Sequence, residues 1–162
     1  MVTTGDTAPD FEATRVGDDV EPMRLSDNLG DGPVVLAFFP AAFTGTCTTE
    51  LCTLRDRLDR FEALNATVFG ISTDLPYALS EFRTQEEFTF DLLSDAGHEA
   101  IAAYDVVDSF DHVGIDEIAR RSVFVIDDGG TIVYRWLADE PGHEPPYDDV
   151  EAAVEEAAAE AT

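Results

Sequence analysis

The chain has 162 residues, the length of a single domain with a well-buried core, and we expect residues 1–162 to form one domain. A hydrophobic content of 44% excludes intrinsic disorder, although the formal net charge is -26 at pH 7. The nine basic residues are all arginine and stand among 35 acidic residues, which argues against a basic face and therefore against nucleic-acid binding.

The acidic residues are distributed along the whole chain, from Asp6 to Glu160. This distribution favours a solvated acidic surface over a local acidic patch that would bind a partner or imitate nucleic acid. At molar salt the Debye length is about 3 Å, which screens the repulsion within such a surface. We therefore interpret the acidity as that of a cytoplasmic protein from an organism that accumulates salt.

The sequence carries no sign of export or of a membrane anchor. The segment after Met1 lacks the basic and apolar regions of a signal peptide, and no apolar run approaches the roughly 20 residues of a membrane span. Without a secretory signal, Cys47 and Cys52 are expected to be catalytic or metal-binding thiols, not a structural disulfide.

The N-terminal part of the chain leads to one apolar run. Residues 1–32 form an irregular lead, in which the sequence GDD at 17–19 predicts a turn between two short strands. Residues 34–39 (VVLAFF) lie between two prolines, a pattern typical of a central strand that is buried on both faces. After a short loop, apolar residues at three- and four-residue steps predict a helix from 46 to 64. These residues are Leu51, Leu54, Leu58, Phe61 and Leu64.

The remaining elements alternate between strands and helices. Strands are predicted at 66–72 and 90–93, and helices at 76–87 and 97–104. A hairpin (121–126 and 131–136, around the turn DDGG) and an acidic helix (148–161) follow. This order predicts an α/β fold, with a mixed central sheet and helices on both of its faces. Asp74, after the second buried strand, has two interpretations, a catalytic residue or a cap for the helix that begins at Pro76, and we favour the cap.

Cys47 is the residue with the strongest chemical implication, because it falls at the predicted start of a helix. The helix dipole and the unpaired N–H groups there favour the thiolate, the nucleophilic form of cysteine. Pro40 can shield this thiolate from bulk water, and the Thr44 hydroxyl can donate to the sulfur or to a bound oxygen. One reaction open to such a nucleophilic thiolate is attack on a peroxide. This reaction requires an aligned O–O bond and a stabilised leaving oxygen, which hydrogen-bond donors and one fixed cation would supply.

Other chemistries lack the residues that they need. There is no C-x-x-C motif of a disulfide reductase, and position 53 is threonine where a phosphatase loop needs arginine. A zinc site needs ligands beyond two cysteines, and His98, His112 and His143 have no ligand-like spacing. No glycine-rich phosphate loop is present. We therefore predict neither a metal nor a cofactor.

The segment PAAFTGTC resembles the P-x-x-x-T-x-x-C active-site motif of the peroxiredoxins, with its fixed residues at Pro40, Thr44 and Cys47. The lead GDTAPDF is also similar to the opening sequence of this family. Within the family, FFPAAFTGTC and the ELxxLRD pattern after it look most like the small AhpE-like group. The C-x4-C spacing looks like the PrxQ group, also called bacterioferritin comigratory proteins.

The resemblance extends to two charged residues. Glu50 occupies the position where the family often has an acidic residue that braces an arginine. Arg121 looks like the arginine that contacts the thiolate in this family. The neighbouring Arg120 is the alternative, because alternation along a strand turns only one of the pair inward.

The family implies a thioredoxin-like fold with an N-terminal β extension and the reduction of hydrogen peroxide and organic hydroperoxides. Cys47 would be oxidised to a sulfenic acid, with which a resolving thiol then condenses. A thioredoxin- or glutaredoxin-like protein would be the reductant. Small peroxiredoxins occur as monomers and as dimers, and we favour a homodimer.

Cys52 is the candidate resolving cysteine. On an ideal helix, five residues correspond to about 7.5 Å of rise and about 140° of rotation, which places the two Cα atoms roughly 8–9 Å apart. A disulfide needs about 4.4–6.8 Å, so the helix around Cys47 would have to unwind first. The rival interpretation makes Cys52 a small apolar residue on the flank of the helix, with a separate thiol reducing Cys47.

Two other functions stay open on the sequence. A binding or holdase-type protein could retain a thioredoxin-like scaffold without turnover, although the set Pro40, Thr44, Cys47 and Arg121 favours an enzyme. A peroxide sensor could pass its disulfide to another protein. Rapid oxidation of the reduced protein by peroxide would separate the first of these from an enzyme.

Overall fold

The computed structural model describes residues 2–160, which form nine β-strands and five α-helices. The strands are β1 (Glu12–Val16), β2 (Val20–Arg24), β3 (Val34–Phe38), β4 (Thr67–Ser72), β5 (Asp91–Ser94), β6 (Val107–Phe110), β7 (Ile115–Ala119), β8 (Ser122–Ile126) and β9 (Ile132–Leu137). The helices are α1 (Gly45–Asp56), α2 (Leu58–Ala63), α3 (Pro76–Gln85), α4 (Glu99–Ala103) and α5 (Tyr147–Glu160). The predicted end of the last helix, Ala161, lies outside the described residues.

Seven strands form one sheet in the order β2-β1-β5-β4-β3-β8-β9. β3, β4 and β5 run parallel, whereas β8 is antiparallel to β3 and β1 is antiparallel to β5. The N-terminal hairpin of β1 and β2 turns at the predicted residues 17–19 and extends the sheet at the β5 edge. The mixed central sheet predicted from the sequence is confirmed.

The central strand β3 is buried along its whole length, as its apolar sequence predicts. Val35 and Ala37 pack on one face of the sheet against a cluster that includes residues of α1, α2, α3 and α5. Leu36 and Phe38 pack on the other face with residues of α4 and with Phe11 from the N-terminal lead. Successive side chains of a strand point to opposite faces, so one strand supports both layers of the core.

The helix predicted from 46 to 64 is two helices, α1 and α2, and the single-helix prediction is wrong at Arg57. The backbone of Arg57 leaves helical geometry, with ψ of 2°. Its guanidinium donates to Asp148 at 2.9 Å and to Glu151 at 3.2 Å, and it lies over the ring of Tyr147. The apolar spacing continues through this break and therefore gives no sign of it. The break coincides with polar contacts between Arg57 and α5, which the spacing of apolar residues cannot predict.

The hairpin of β6 and β7 was not predicted. It forms a separate two-stranded sheet, and most of its residues are exposed or half-buried, so its apolar alternation is weak. In the part of the chain that the structure describes, no helix combines the length and apolar character that crossing a membrane would require.

The pairing of β3 decides which loops meet. Phe38 pairs with Ser122 in the antiparallel partner β8, so Pro40, which follows β3, and Arg121, which precedes β8, lie at the same edge of the sheet. The parallel partner β4 ends at Ser72 at this edge, which brings Asp74 there as well. The carboxyl ends of neighbouring parallel strands meet at one edge, where α/β proteins commonly place their sites.

Candidate active site

Cys47 is the third residue of α1, and its side chain is 1% exposed. The first helical hydrogen bond of α1 runs from the Thr48 N–H to the Thr44 carbonyl oxygen, at 2.9 Å. The N–H groups of Gly45, Thr46 and Cys47 precede that bond and are therefore not used by the helix. Cys47 thus lies at the positive end of the helix dipole, beside unpaired N–H groups.

Arg121 contacts this cysteine directly. Its Nη2 donates to Cys47 Sγ at 3.1 Å, its Nη1 to Glu50 Oε1 at 2.6 Å, and its Nε to the Pro141 carbonyl oxygen at 3.0 Å. Three acceptors fix the plane of the guanidinium, so Arg121 places a cation at a fixed position beside the sulfur. Arg120 turns away and donates to the Ala138 carbonyl oxygen at 2.9 Å, as strand alternation requires for one member of the pair.

Glu50 lies one helical turn after Cys47 and is fully buried. Burial raises the pKa of its carboxyl group from 4.5 to about 7, although the neighbouring Arg121 lowers it. Its second oxygen, Oε2, has no hydrogen-bond partner among the described residues. A carboxylate in this position costs desolvation energy that the single pairing with Arg121 offsets only in part.

Replacement of Glu50 by glutamine should therefore change how stability depends on pH. Between about pH 4.5 and about pH 7 the unfolded chain loses the Glu50 proton while the folded chain keeps it, so the free energy of unfolding falls as the pH rises. Glutamine cannot ionise. The unfolding free energy of Glu50→Gln relative to wild type should thus rise by about 3 kcal/mol across this window.

Denaturant unfolding of both proteins at constant high salt, at about pH 4 and about pH 8, measures this difference. If the difference stays constant or falls as the pH rises, Glu50 is already ionised at low pH and held so by Arg121.

Pro40 and Thr44 lie in the loop that joins β3 to α1, residues 40–44. Pro40 is buried, whereas Thr44 is exposed and is the residue that precedes the first turn of α1. In this structure the Thr44 hydroxyl donates to the Ala41 carbonyl oxygen at 2.7 Å and not to the Cys47 sulfur. The Thr44 oxygen keeps its lone pairs and can accept a hydrogen bond from a peroxide O–H group.

Asp74 does not cap α3, and that prediction is wrong. The residue before α3 is Leu75, and no side chain caps the helix. Asp74 Oδ2 instead accepts hydrogen bonds from the Ala42 N–H at 2.8 Å and from the Ser72 hydroxyl at 2.7 Å. The contact of Asp74 with the loop after β3 could have been predicted from its position after β4. β3 and β4 are parallel neighbours, so the segments that follow them meet at one edge of the sheet.

Cys52 is half-buried on the same helix as Cys47, and both cysteines are free. Its Sγ donates to Glu86 Oε2 at 3.4 Å, and Arg55 of α1 donates to the Glu86 carbonyl oxygen at 2.6 Å. Burial, followed by the hydrogen bond to Glu86, raises the pKa of the Cys52 thiol. Sequence reasoning missed Glu86, because it lies 34 residues from Cys52 and no spacing links them.

The described residues offer no group of three or more histidine, cysteine, aspartate or glutamate side chains that could hold a metal ion. The imidazole rings of His98 and His143 lie beside surface carboxylates, Glu117 at 3.4 Å and Glu140 at 3.5 Å. Around the Cys47 sulfur the site places a buried guanidinium and the backbone N–H groups of the first turn of α1.

Comparison with known proteins agrees with this geometry. The model of the AhpC/TSA family matches residues 4–135, which is most of the chain. The chain belongs to the AhpC/TSA family. Among curated members, peroxiredoxin Bcp of Bacillus subtilis is 35% identical over 136 residues, covering 83% of this chain and 85% of the relative. Peroxiredoxin Bcp of Escherichia coli is 38% identical over 130 residues, covering 79% and 81%.

A solved structure of the family also resembles this chain closely over nearly its whole length. The crystal structure of peroxidoxin BcpB from Mycobacterium tuberculosis superposes with a TM-score of 0.82 at 35% identity, covering 95% of this chain and 97% of that one. The family assignment confirms the resemblance to peroxiredoxins, and with it the thioredoxin-like α/β fold. The chain is a peroxiredoxin, an enzyme of the thiol peroxidase class.

Proposed function

We propose that this peroxiredoxin reduces hydrogen peroxide and small organic hydroperoxides through a sulfenic acid on Cys47. The observation that carries the proposal is the 3.1 Å contact between Arg121 Nη2 and Cys47 Sγ, at the start of a helix and shielded from water. A fixed cation beside a buried sulfur stabilises the thiolate and the charge that develops on an attacked peroxide. The alternative, a scaffold without turnover, gives no reason to keep this pair buried.

In the first step the Cys47 thiolate attacks one peroxide oxygen. An S–O bond forms, the O–O bond breaks, and the other oxygen leaves as hydroxide or alkoxide and takes a proton from water. The sulfur is oxidised and the peroxide is reduced. Arg121 and the free N–H groups of the first turn of α1 would donate hydrogen bonds to the oxygens. The Thr44 oxygen would accept a hydrogen bond from the peroxide O–H group and so orient the O–O bond.

Stopped-flow mixing of the reduced protein with hydrogen peroxide at high salt tests the proposal. We expect oxidation orders of magnitude faster than that of free cysteine under the same conditions. A rate equal to that of free cysteine would reject the peroxidase and favour the binding or holdase alternative.

In the second step, we propose, Cys52 attacks the sulfenic acid, forms a disulfide with Cys47 and releases water. A thioredoxin- or glutaredoxin-like dithiol would then reduce the disulfide. Because both cysteines lie in the intact helix α1, that helix must open first. Cys52, the eighth residue of α1, must also leave Glu86, whose contact favours the protonated thiol.

The composition of α1 supports such opening. Four of its residues are threonine, a β-branched type with modest helix propensity, and no side chain caps its first turn. Thr48, Thr49 and Thr53 each donate their hydroxyl to the carbonyl four residues earlier. Such bonds weaken a helix slightly, so less free energy is needed to unwind this one.

Replacement of the exposed Thr49 by alanine should slow disulfide formation by about threefold, because alanine stabilises a helix by up to about 0.7 kcal/mol more. Formation of the sulfenic acid should not change. The matched control is Thr84→Ala, since Thr84 makes the same hydroxyl bond within α3, to Ser80 at 3.0 Å. Quenched-flow alkylation of free thiols measures both steps, and equal rates of disulfide formation in the two variants would contradict an opening of α1.

We propose a hydroperoxide substrate, a thioredoxin-type reductant, a cytoplasmic location and one catalytic domain over residues 1–162, with a homodimer as the assembly. A sensor that passes its disulfide to another protein is the second candidate. It would use the same first step and differ only in the protein that reduces Cys47.

We also propose that the acidic surface is an adaptation to high salt. The formal net charge of -26 repels itself in dilute buffer and is screened at molar concentrations. The melting temperature should therefore rise by several degrees between dilute buffer and molar potassium chloride. A melting temperature that is independent of salt would contradict the proposal.

A further inference from the structure

The 40–44 loop, which carries Thr44 and leads into the first turn of α1, is attached to the sheet through Asp74. Oδ2 of this residue accepts the Ala42 N–H at 2.8 Å. Asp74 is itself held by its neighbours: Oδ2 accepts the Ser72 hydroxyl at 2.7 Å, and its carbonyl oxygen accepts the Ser94 hydroxyl at 2.6 Å. These bonds hold Asp74 in place at the carboxyl ends of β4 and β5.

The loop needs such an anchor because it contains a strained residue. Phe43 has φ of 67°, in the left-handed region that non-glycine residues seldom adopt. Its ring is half-exposed and rests on Phe82, with 5.0 Å between the ring centroids. Without the hydrogen bond between Asp74 and the Ala42 N–H, the backbone of Phe43 would relax toward negative φ, and the next residue, Thr44, would move with it.

We propose that Asp74 is a positioning residue for peroxide reduction: its carboxylate holds the Ala42 N–H and so keeps Thr44 and the first turn of α1, on which Cys47 lies, in the position that peroxide reduction needs. This inference rests on the proposed function of Cys47 and deepens it. Asp74 touches neither the peroxide nor the sulfur in this role. A displacement of about 1 Å of catalytic groups can cost about a hundredfold in rate, so a single anchoring bond can matter.

The anchor has opposite consequences for the two steps of the cycle. Attack on the peroxide needs the closed loop, so loss of the anchor slows it. Disulfide formation needs the first turn of α1 to open, and a loosened loop does not oppose this. A residue that only stabilised the fold would not separate the steps in this way.

The test compares Asp74→Ala with Asp74→Asn, and with Asp128→Ala as the matched control. The side-chain amide oxygen in Asp74→Asn can accept the same N–H, whereas alanine cannot. Asp128 also accepts a loop N–H, that of Gly32 at 2.9 Å, at a distance from the site. We expect sulfenic acid formation to slow by about ten- to a hundredfold in Asp74→Ala and to stay near wild type in the other two variants.

Disulfide formation in Asp74→Ala should be as fast as in wild type or faster, and hydrogen exchange at Ala42 should accelerate. Equal losses in Asp74→Ala and Asp74→Asn would overturn the proposal in favour of a charge effect. Unchanged sulfenic acid formation in a folded Asp74→Ala would overturn it as well. Slow oxidation of the wild type itself would instead reject the proposed function, so the two failures are distinguishable. If Asp74→Ala does not fold, slowed sulfenic acid formation in Asp74→Asn still rejects the anchor, because the amide oxygen can accept the Ala42 N–H.

Discussion

Replacement of Arg121 by methionine should lower the rate constant for Cys47 oxidation by hydrogen peroxide by about a hundred- to a thousandfold. The substitution keeps much of the side-chain volume but removes the donor that lies 3.1 Å from the sulfur. It also removes the partner of the fully buried Glu50, whose second oxygen already lacks one among the described residues. Stopped-flow oxidation of the reduced variant measures the effect.

Arg120→Met is the matched control for this experiment. Arg120 is the adjacent residue and also donates to a backbone carbonyl, that of Ala138, but it makes no contact with Cys47. We expect its rate to stay close to that of wild type. Similar losses in both variants would show that the Arg121 effect reflects disturbance of the start of β8 and not contact with the sulfur.

Replacement of Cys52 by serine should abolish thioredoxin-linked turnover while leaving the first oxidation step unchanged. Serine retains the size and the hydrogen bond to Glu86 but cannot form a disulfide with the Cys47 sulfenic acid. Steady-state turnover with a thioredoxin system and stopped-flow oxidation measure the two steps separately. Thr53→Ser, the next residue on α1, serves as the control.

A Cys52→Ser variant that keeps full thioredoxin-linked turnover would reverse the assignment. Cys52 would then be a half-buried residue on the flank of α1, and a separate thiol would reduce Cys47.

The central features of the fold could be predicted because they depend on local patterns. The unbroken apolar run of β3 between Pro33 and Pro40 specifies a strand that is buried on both faces. The recurrence of leucine and phenylalanine at helical spacing specifies the face that α1 and α2 turn to the sheet. The same patterns could not report the break at Arg57, because it is associated with contacts to α5, which is distant in sequence.

The candidate site likewise has a part that local sequence could predict and a part that depends on contacts between distant segments. Pro40, Thr44, Cys47 and Glu50 lie in one short segment, so their arrangement follows from the helix that begins beside them. The anchoring role of Asp74 depends on the parallel pairing of β3 and β4, and the contact of Cys52 with Glu86 depends on how α3 packs. Such contacts between distant segments become visible only when strand order and register are known.

The most direct test of the central claim is mass spectrometry of the reduced protein after one equivalent of hydrogen peroxide. We predict that the wild type loses two hydrogen atoms and yields a peptide in which Cys47 is bonded to Cys52 of the same chain. In Cys52→Ser, one oxygen atom should be added, at Cys47 alone. Peroxide consumption that leaves Cys47 unmodified, or oxidation that begins at Cys52, would contradict the account.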